Sequence, residues 1–420
     1  MDHFNYRNGQ LYAEDVSVAE IAASVGTPFY VYSTATLVRH FQLFDDALDG
    51  MDHCICYAMK AASNQAILKT LGNLGAGMDV VSGGEYRRAL SAGIPPEKVV
   101  FSGVGKTFEE ITFALQNGIR QFNVESDSEL EQISSIASSM NKIAPIAIRI
   151  NPDVDAQTHE KIATGKAENK FGIPLSRARE VYSKASQMPG ISIVGIDLHI
   201  GSQLTDLEPF KKAYQKLADL TQVLRQDGHK IERLDLGGGL GIPYEKNKSA
   251  PPLPVEYGKM VREVLGHLDC EIEIEPGRLI VGNAGILVSS VLGVKNGGNR
   301  NFLILDAAMN DLIRPAMYDA YHDIIPVKET NSPEAVYDVV GPVCETGDTF
   351  AKKRVMPELS ESDLVAFRSA GAYGAVMSSE YNTRPLIPEV MVNKNEFSTI
   401  RKRPSYEEII DRDIIPDWLE

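Results

Sequence analysis

The side chains best suited to chemistry are a lysine, a histidine, a glutamate and a run of glycines. In CICYAMKAAS, Lys60 directly follows an apolar run, which puts a charged amine at the rim of a core. By itself it reads as a lysine snorkelling at a strand end; beside a bound carbonyl group it would form an imine. In LGGGLG, Gly237, Gly238 and Gly239 either make a plain tight turn or let the backbone approach a ligand and offer N–H groups to a phosphate. His199, in HIGSQ, is a packed histidine or a flat ring covering a ligand. Glu275, in EPGR, is an ion-pair partner of Arg278 or a carboxylate for a ligand's ring nitrogen. Taken singly, each has an ordinary packing explanation.

These residues become a set once the elements that carry them are read. From residue 54, apolar runs alternate with amphipathic helical patterns, the signature of βα units on a parallel sheet. The runs are CICYAM (54–59), GMDVVS (77–82), KVVFSG (98–103), QFNVES (121–126), PIAIRI (145–150), ISIVGIDLHI (191–200), RLDLGG (233–238) and EIEIEP (271–276). The intervening patterns SGGEYRRALSAG, TFEEITFALQNG and DSELEQISSIASSM end at or before Gly, Asn or Pro, as helix stops require. This spacing predicts an α/β fold, a (β/α)8 TIM barrel over residues 31–275, whose chemistry sits at the C-terminal strand ends. Those ends carry Lys60, Asp79 ahead of Ser82-Gly83-Gly84, Arg149 with Asn151, His199, the glycine run and Glu275.

After Pro276 the texture changes. GILVSSVLGVK, the turn NGGN and FLILDAA read as a hairpin, and AVYDVVGPV and DLVAFRSAGAY as strands without helices between them. A C-terminal all-β domain, Greek-key or sandwich-like, is expected over 276–420. Residues 1–30, with a small hairpin at YRNGQLYAEDV, are expected to join it. The loops 151–172 and 242–254 are long and polar enough to serve as lids or site rims.

Composition narrows the function classes. With 42 Lys+Arg against 57 Asp+Glu, the formal charge of −15 repels phosphate backbones and anionic bilayers, so neither nucleic acid nor membrane is an expected partner. The N-terminus lacks a signal-peptide pattern and no apolar run approaches the ~20 residues of a membrane span, so a cytoplasmic location is expected. Four cysteines are too sparse for a disulfide scaffold and lack zinc-site spacing; Cys54, Cys56 and Cys270 read as small core hydrophobes and no metal is expected.

Taken together, an imine-forming amine, a phosphate nest, a flat ring and a carboxylate in one barrel mouth are what pyridoxal 5'-phosphate requires. A nicotinamide dinucleotide fits less well, because the glycines lie on a late strand and no separate doubly wound domain is visible. The motifs YAMKA, HIGSQ, GGGLG, EPGR, GPVCETGD and AGAYG, in order over essentially the whole chain, resemble the barrel-type (fold-type III) pyridoxal-phosphate amino-acid decarboxylases, and within them the branch acting on meso-2,6-diaminopimelate.

The resemblance implies that Lys60 carries the cofactor, His199 stacks on its ring and an anionic Glu275 keeps its nitrogen protonated, with Asp79 also in the cofactor set. By the same resemblance Ser202, Gly237, Gly238, Gly239, Gly277, Arg278 and Tyr373 line the phosphate. Cys344 is assigned the proton transfer that quenches the carbanion, for which a thiol ordinarily titrating near ~8.5 is suitably protonated. Glu345 is expected to bind the substrate's distal ammonium, and Arg314, Tyr318, Arg278 and Tyr373 to complete the substrate contacts, the first two at the distal carboxylate. Relatives take the Cys344 loop from the other subunit, which implies a homodimer with shared active sites. Two alternatives stand beside this reading. One is a polyamine-pathway decarboxylase acting on carboxynorspermidine, ornithine or arginine, although ornithine and arginine decarboxylases typically show acidic residues where Arg314 stands. The other is a non-catalytic regulator of the same fold, against which the retention of Lys60, His199, Glu275 and Cys344 speaks.

Overall fold

The computed structural model describes residues 2–155, 170–245 and 250–419. Most of the loop expected over 151–172, and the middle of 242–254, lie outside the described residues. The chain divides into a barrel unit (Val38–Pro243 and Lys248–Ile280) and a β-rich unit (Met1–Leu37, Tyr244–Asn247 and Val281–Glu420).

In the barrel unit the parallel strands are β1 (His53–Ala58), β2 (Gly77–Val80), β3 (Val99–Phe101), β4 (Gln121–Val124), β5 (Ala144–Asn151), β6 (Ile191–Asp197), β7 (Arg233–Asp235) and β8 (Glu271–Ile274). Each pairs with its successor, and β8 returns to β1 with Ile272 opposite His53 and Ile274 opposite Ile55. The sheet is therefore a closed barrel with no free edge. Burial on both faces explains why these strands read as near-continuous apolar runs. Helices start soon after the strand tops because the caps are encoded there. Ser82 accepts the Glu85 N–H, Thr107 and Glu110 form a reciprocal capping box, and Ser126 accepts the Glu129 N–H. Each cap satisfies a backbone donor the first helical turn would otherwise orphan.

The barrel interior is not uniformly apolar. Asn123, Asp197, Asp235 and Glu273 are buried within strands whose neighbours are Leu, Ile, Val or Phe. Asn123 Nδ2 donates to Asp235 Oδ2 at 2.9 Å, joining β4 to β7; these strands are not adjacent, so the bond crosses the interior. Lower down, Arg120 Nε donates to Glu273 Oε2 at 2.8 Å, and the Cys56 thiol lies 3.6 Å from Glu273 Oε1.

In the β-rich unit, Phe29–Ser33 lies between Gly285–Asn296, antiparallel to it, and Glu389–Asn393, parallel to it. The N-terminal segment is thus an inner strand of this sheet. Phe4, Leu11, Phe29, Val31, Ile286, Val288, Val390 and Val392 share its core. The hairpin Gly285–Asn296 with Asn301–Leu305 forms as the NGGN turn suggests. The N-terminal hairpin turns at Asn8 and Gly9, both at positive φ (50° and 73°), the left-handed pair such two-residue turns demand. Sequence reading missed Thr349–Pro357 and Glu396–Arg401, the two outer strands, because edge strands are charged and lack apolar alternation. Among the described residues, no helix is long and apolar enough to cross a membrane.

Candidate active site

At the end of β1 the chain tightens into a 3-10 turn, Met59–Ala61, which lifts Lys60 out of the strand register. Its Nζ lies 2.7 Å from Asp79 Oδ2 on β2; the lysine side chain is 39% exposed and the aspartate 0%. The other aspartate oxygen, Oδ1, is buried with no hydrogen-bond partner among the described residues. A half-exposed amine held by a fully buried carboxylate is a directed group rather than a solvated one.

The glycine run after β7 differs from a simple nest of free N–H groups. Gly237 N–H donates to Asp235 Oδ1 at 3.0 Å and Gly238 N–H to His199 Nδ1 at 3.2 Å. Glycine is required there by packing: a Cβ on Gly238 would lie 2.3 Å from Glu275 O, and one on Gly239, at φ +114°, 2.4 Å from Gly201 O. That close approach seats the Gly201-Ser202 corner against the turn, where Arg278 Nη2 donates to Ser202 Oγ at 3.0 Å. Gly277 faces Ala58 and Ala61, so a Cβ there would press within 3.0 Å of Ala61 Cβ.

His199 accepts an N–H at Nδ1, which places its own proton on Nε2. Burial, then the positive charges of Arg149 and Lys60, hold its pKa well below the usual histidine range, so the ring is neutral. Glu275 is buried; its Oε1 accepts from Ser102 Oγ at 3.2 Å and lies 3.5 Å from Asn123 Nδ2. Burial, then Asp235 and Asp79, push its carboxyl well above the usual range, with Lys60 opposing. These surroundings disfavour the anionic form that the resemblance implies for Glu275. Arg149, on β5, pairs with Glu125 at 3.1 Å and lies 3.9 Å from Asp197.

In the β-rich unit, buried Arg314 opens the short helix Arg314–Tyr318. Its guanidinium stacks 4.8 Å from the Tyr244 ring centroid and donates to His322 Nε2 at 2.9 Å. Tyr318 is half-buried at the end of that helix. Tyr373 holds a left-handed backbone, φ 56°, a conformation rare for an aromatic residue and concentrated at functional sites. Cys344 is exposed, as is Glu345. Their turn is pinned from below by Asp348, whose two oxygens accept the Met309 and Val343 N–H groups, each at 2.7 Å. From the side, Asn382 accepts the Cys344 N–H at 3.1 Å.

Ser102, Asn123 and Asp235 went unnamed as site residues in the sequence reading. The signal for Asn123 and Asp235 is a polar residue between apolar ones in a buried strand, and the two become partners only when the barrel closes.

The barrel residues fit pyridoxal phosphate. Lys60 offers an amine beside Asp79, the buried Asp79 Oδ1 has no donor among the described residues, and Ser202 and Arg278 gather donors at the glycine turn. Residues 34–282 match the family described as pyridoxal-dependent decarboxylase, pyridoxal binding domain. The chain is 49% identical to the diaminopimelate decarboxylase of Zymomonas mobilis over 99% of both chains, and 52% identical to that of Vibrio cholerae over 96% of both. Among solved structures, the diaminopimelate decarboxylase of M. jannaschii in complex with L-lysine superposes with a TM-score of 0.95 at 37% identity, covering 100% of this chain and 99% of that one. The enzyme of Helicobacter pylori, also complexed with L-lysine, gives 0.90 at 42%, covering 94% and 98%. A lysine presented to a buried carboxylate at the mouth of a closed barrel, and likeness along nearly the whole length, agree: the chain belongs to the diaminopimelate decarboxylase family of pyridoxal-dependent decarboxylases.

Proposed function

We propose that this decarboxylase converts meso-2,6-diaminopimelate to L-lysine and CO2, the last step of lysine biosynthesis, in the cytoplasm. The observation that carries the substrate choice is Arg314, a buried guanidinium stacked on Tyr244 and bonded to His322. A cation so oriented suits the distal carboxylate that diaminopimelate has and ornithine or lysine lacks. The L-lysine bound in the H. pylori and M. jannaschii enzymes supports the same product.

When bound, pyridoxal phosphate supplies an aldehyde for amines and a ring that accepts the electron pair left by departing CO2. Lys60 is the amine that anchors it, oriented by Asp79. Ser202, Arg278 and Gly277 would hold the phosphate beside the Gly237–Gly238–Gly239 turn, with Tyr373 completing the set. His199, whose pKa burial holds well below the usual range, would cover the ring face without adding a positive charge. Glu275 is the carboxyl that would meet the ring nitrogen, and its raised pKa would let it share a proton there. Glu345 meets the substrate's distal ammonium, Arg278, Arg314, Tyr318 and Tyr373 its carboxylates, and Cys344 returns a proton to the substrate carbon.

A thiol with that task requires a dry surrounding, yet Cys344 is exposed on the single chain. This exposure supports a homodimer in which each Cys344 turn completes the partner's site.

The test is CO2 release from meso-diaminopimelate, ornithine, arginine and carboxynorspermidine in parallel, with wild type and Arg314→Ala. Diaminopimelate is expected to be the preferred substrate. Losing a buried charge-assisted bond costs about 2 to 5 kcal/mol, so Arg314→Ala should lower kcat/KM for diaminopimelate at least ~30-fold. Any residual ornithine turnover should change far less. An equal loss on every substrate removes the support for the distal-carboxylate role.

A further inference from the structure

We propose that Asn123 is a positioning residue that braces the cofactor-ring carboxylate, Glu275, against the glycine turn that receives the phosphate. The inference rests on the cofactor placement given above.

Asn123 sits at the centre of the barrel on β4, fully buried. Its amide nitrogen donates to Asp235 Oδ2 at 2.9 Å and to Ser102 Oγ at 3.1 Å, and lies 3.5 Å from Glu275 Oε1. An NH2 group has two protons, so the two shorter contacts are the bonds and the third is a weak approach. Ser102 passes the contact on, donating to Glu275 Oε1 at 3.2 Å. Asp235 passes it the other way, accepting the Gly237 N–H at 3.0 Å through its second oxygen. One side chain therefore connects both ends of the cofactor site.

The amide cannot turn over at no cost. Gln121 Nε2 donates to Asn123 Oδ1 at 2.8 Å, which fixes the oxygen on one side and the two donors on the other. The residue type is also specific. A carboxylate here would be a third acidic group beside Asp235 and Glu275, and an aliphatic side chain would leave Asp235 Oδ2 buried without its donor. A neutral double donor joins Asp235 to Ser102, and through Ser102 to the Glu275 carboxyl, without adding charge.

The experiment uses holoenzyme loaded with pyridoxal phosphate labelled with nitrogen-15 in the ring, read by nitrogen-15 and phosphorus-31 NMR across pH. In Asn123→Ala both the ring-nitrogen titration and the phosphate signal should move from their wild-type positions. Turnover number should drop about tenfold with KM unchanged, the effect of one misplaced hydrogen bond to a charged group. Ser102→Ala, a mild substitution that keeps the fold even if Asn123→Ala does not, should move the ring-nitrogen titration alone. A lowered Tm with both signals unmoved in Asn123→Ala overturns the brace, as does a phosphate signal that moves in Ser102→Ala. Wild-type signals matching free cofactor would overturn the site assignment and the brace together; bound wild-type signals with unmoved variants overturn the brace alone.

Discussion

The pair Lys60 and Asp79 shows how a reactive residue is also a structural one. Asp79 is wholly buried and Lys60 is the cation at its Oδ2. Removing the amine leaves a buried carboxylate without that partner, which is costly, although solvent at a 39% exposed lysine reduces the effect to about 1 to 3 kcal/mol. Lys60→Ala is therefore expected to lose the yellow cofactor absorbance and nearly all turnover, and to melt several degrees lower at neutral pH. Adding Asp79→Asn should restore most of the melting temperature and none of the turnover. Calorimetry on the three proteins decides this, and an undisturbed melting point in Lys60→Ala would show that Asp79 does not depend on the amine. Borohydride reduction and peptide mapping should place the cofactor on Lys60.

At the scale of elements, turns carry requirements that strands do not. Gly239 and Gly228 both hold left-handed backbone, φ +114° and +94°, but a Cβ at Gly239 meets Gly201 O at 2.4 Å whereas one at Gly228 meets nothing within 4 Å. Gly228→Ala should cost only the backbone penalty, about 1 to 2 kcal/mol, with cofactor affinity unchanged. Gly239→Ala adds a backbone collision beside Ser202, so both stability and cofactor affinity should fall. Cofactor titration of the two variants checks this; equal affinities would mean the turn does not shape the phosphate site.

A second prediction at this scale concerns the turn before Arg314–Tyr318. Burial raises the Asp311 carboxyl to about 7, even though it accepts the Ala308 N–H and stands near Arg384 and Arg403. Between the ordinary value of 3.8 and about 7 the folded chain holds this proton and the unfolded chain does not. Its contribution is thus full below the ordinary value, declines as pH rises and is gone above about 7, a span of up to about 4 kcal/mol. Melting curves from pH 4 to 8 should show a shallower decline in Asp311→Asn than in wild type; identical slopes would remove the assignment.

At the scale of the whole molecule, the site needs more than one chain if Cys344 works from an exposed turn. Lys60→Ala and Cys344→Ala homodimers should each be nearly inactive. Mixed subunits should regain up to about a quarter of wild-type activity, because half the dimers are hybrids and each hybrid has one intact site of two. Verified subunit exchange without regained activity would sink the shared site. Cys344→Ala alone should keep its cofactor, since the thiol contributes nothing to holding it.

The barrel was legible in the sequence because a closed parallel sheet buries both faces of every strand, and eight apolar runs with capped helices between them record that burial locally. The N-terminal hairpin was legible for a related reason: YRNGQ carries the turn chemistry itself. Lys60, His199 and Glu275 stand out as polar residues at the ends of those runs, and the Lys60 charge lowers the pKa of both other groups. What the chain order could not reveal was how polar groups pair across the interior. Asn123, Ser102 and Asp235 lie on or beside three different strands, and the Asn123–Asp235 bond exists only after closure brings β4 opposite β7. The same holds for charge. Sequence supplies a glutamate, but whether it is ionised depends on burial and on Asp235 and Asp79, neighbours 40 and 196 positions away in the chain. Local pattern encodes which surfaces are apolar, and solvent exclusion with cross-barrel contact, which belong to the tertiary structure alone, decides what the remaining polar atoms do.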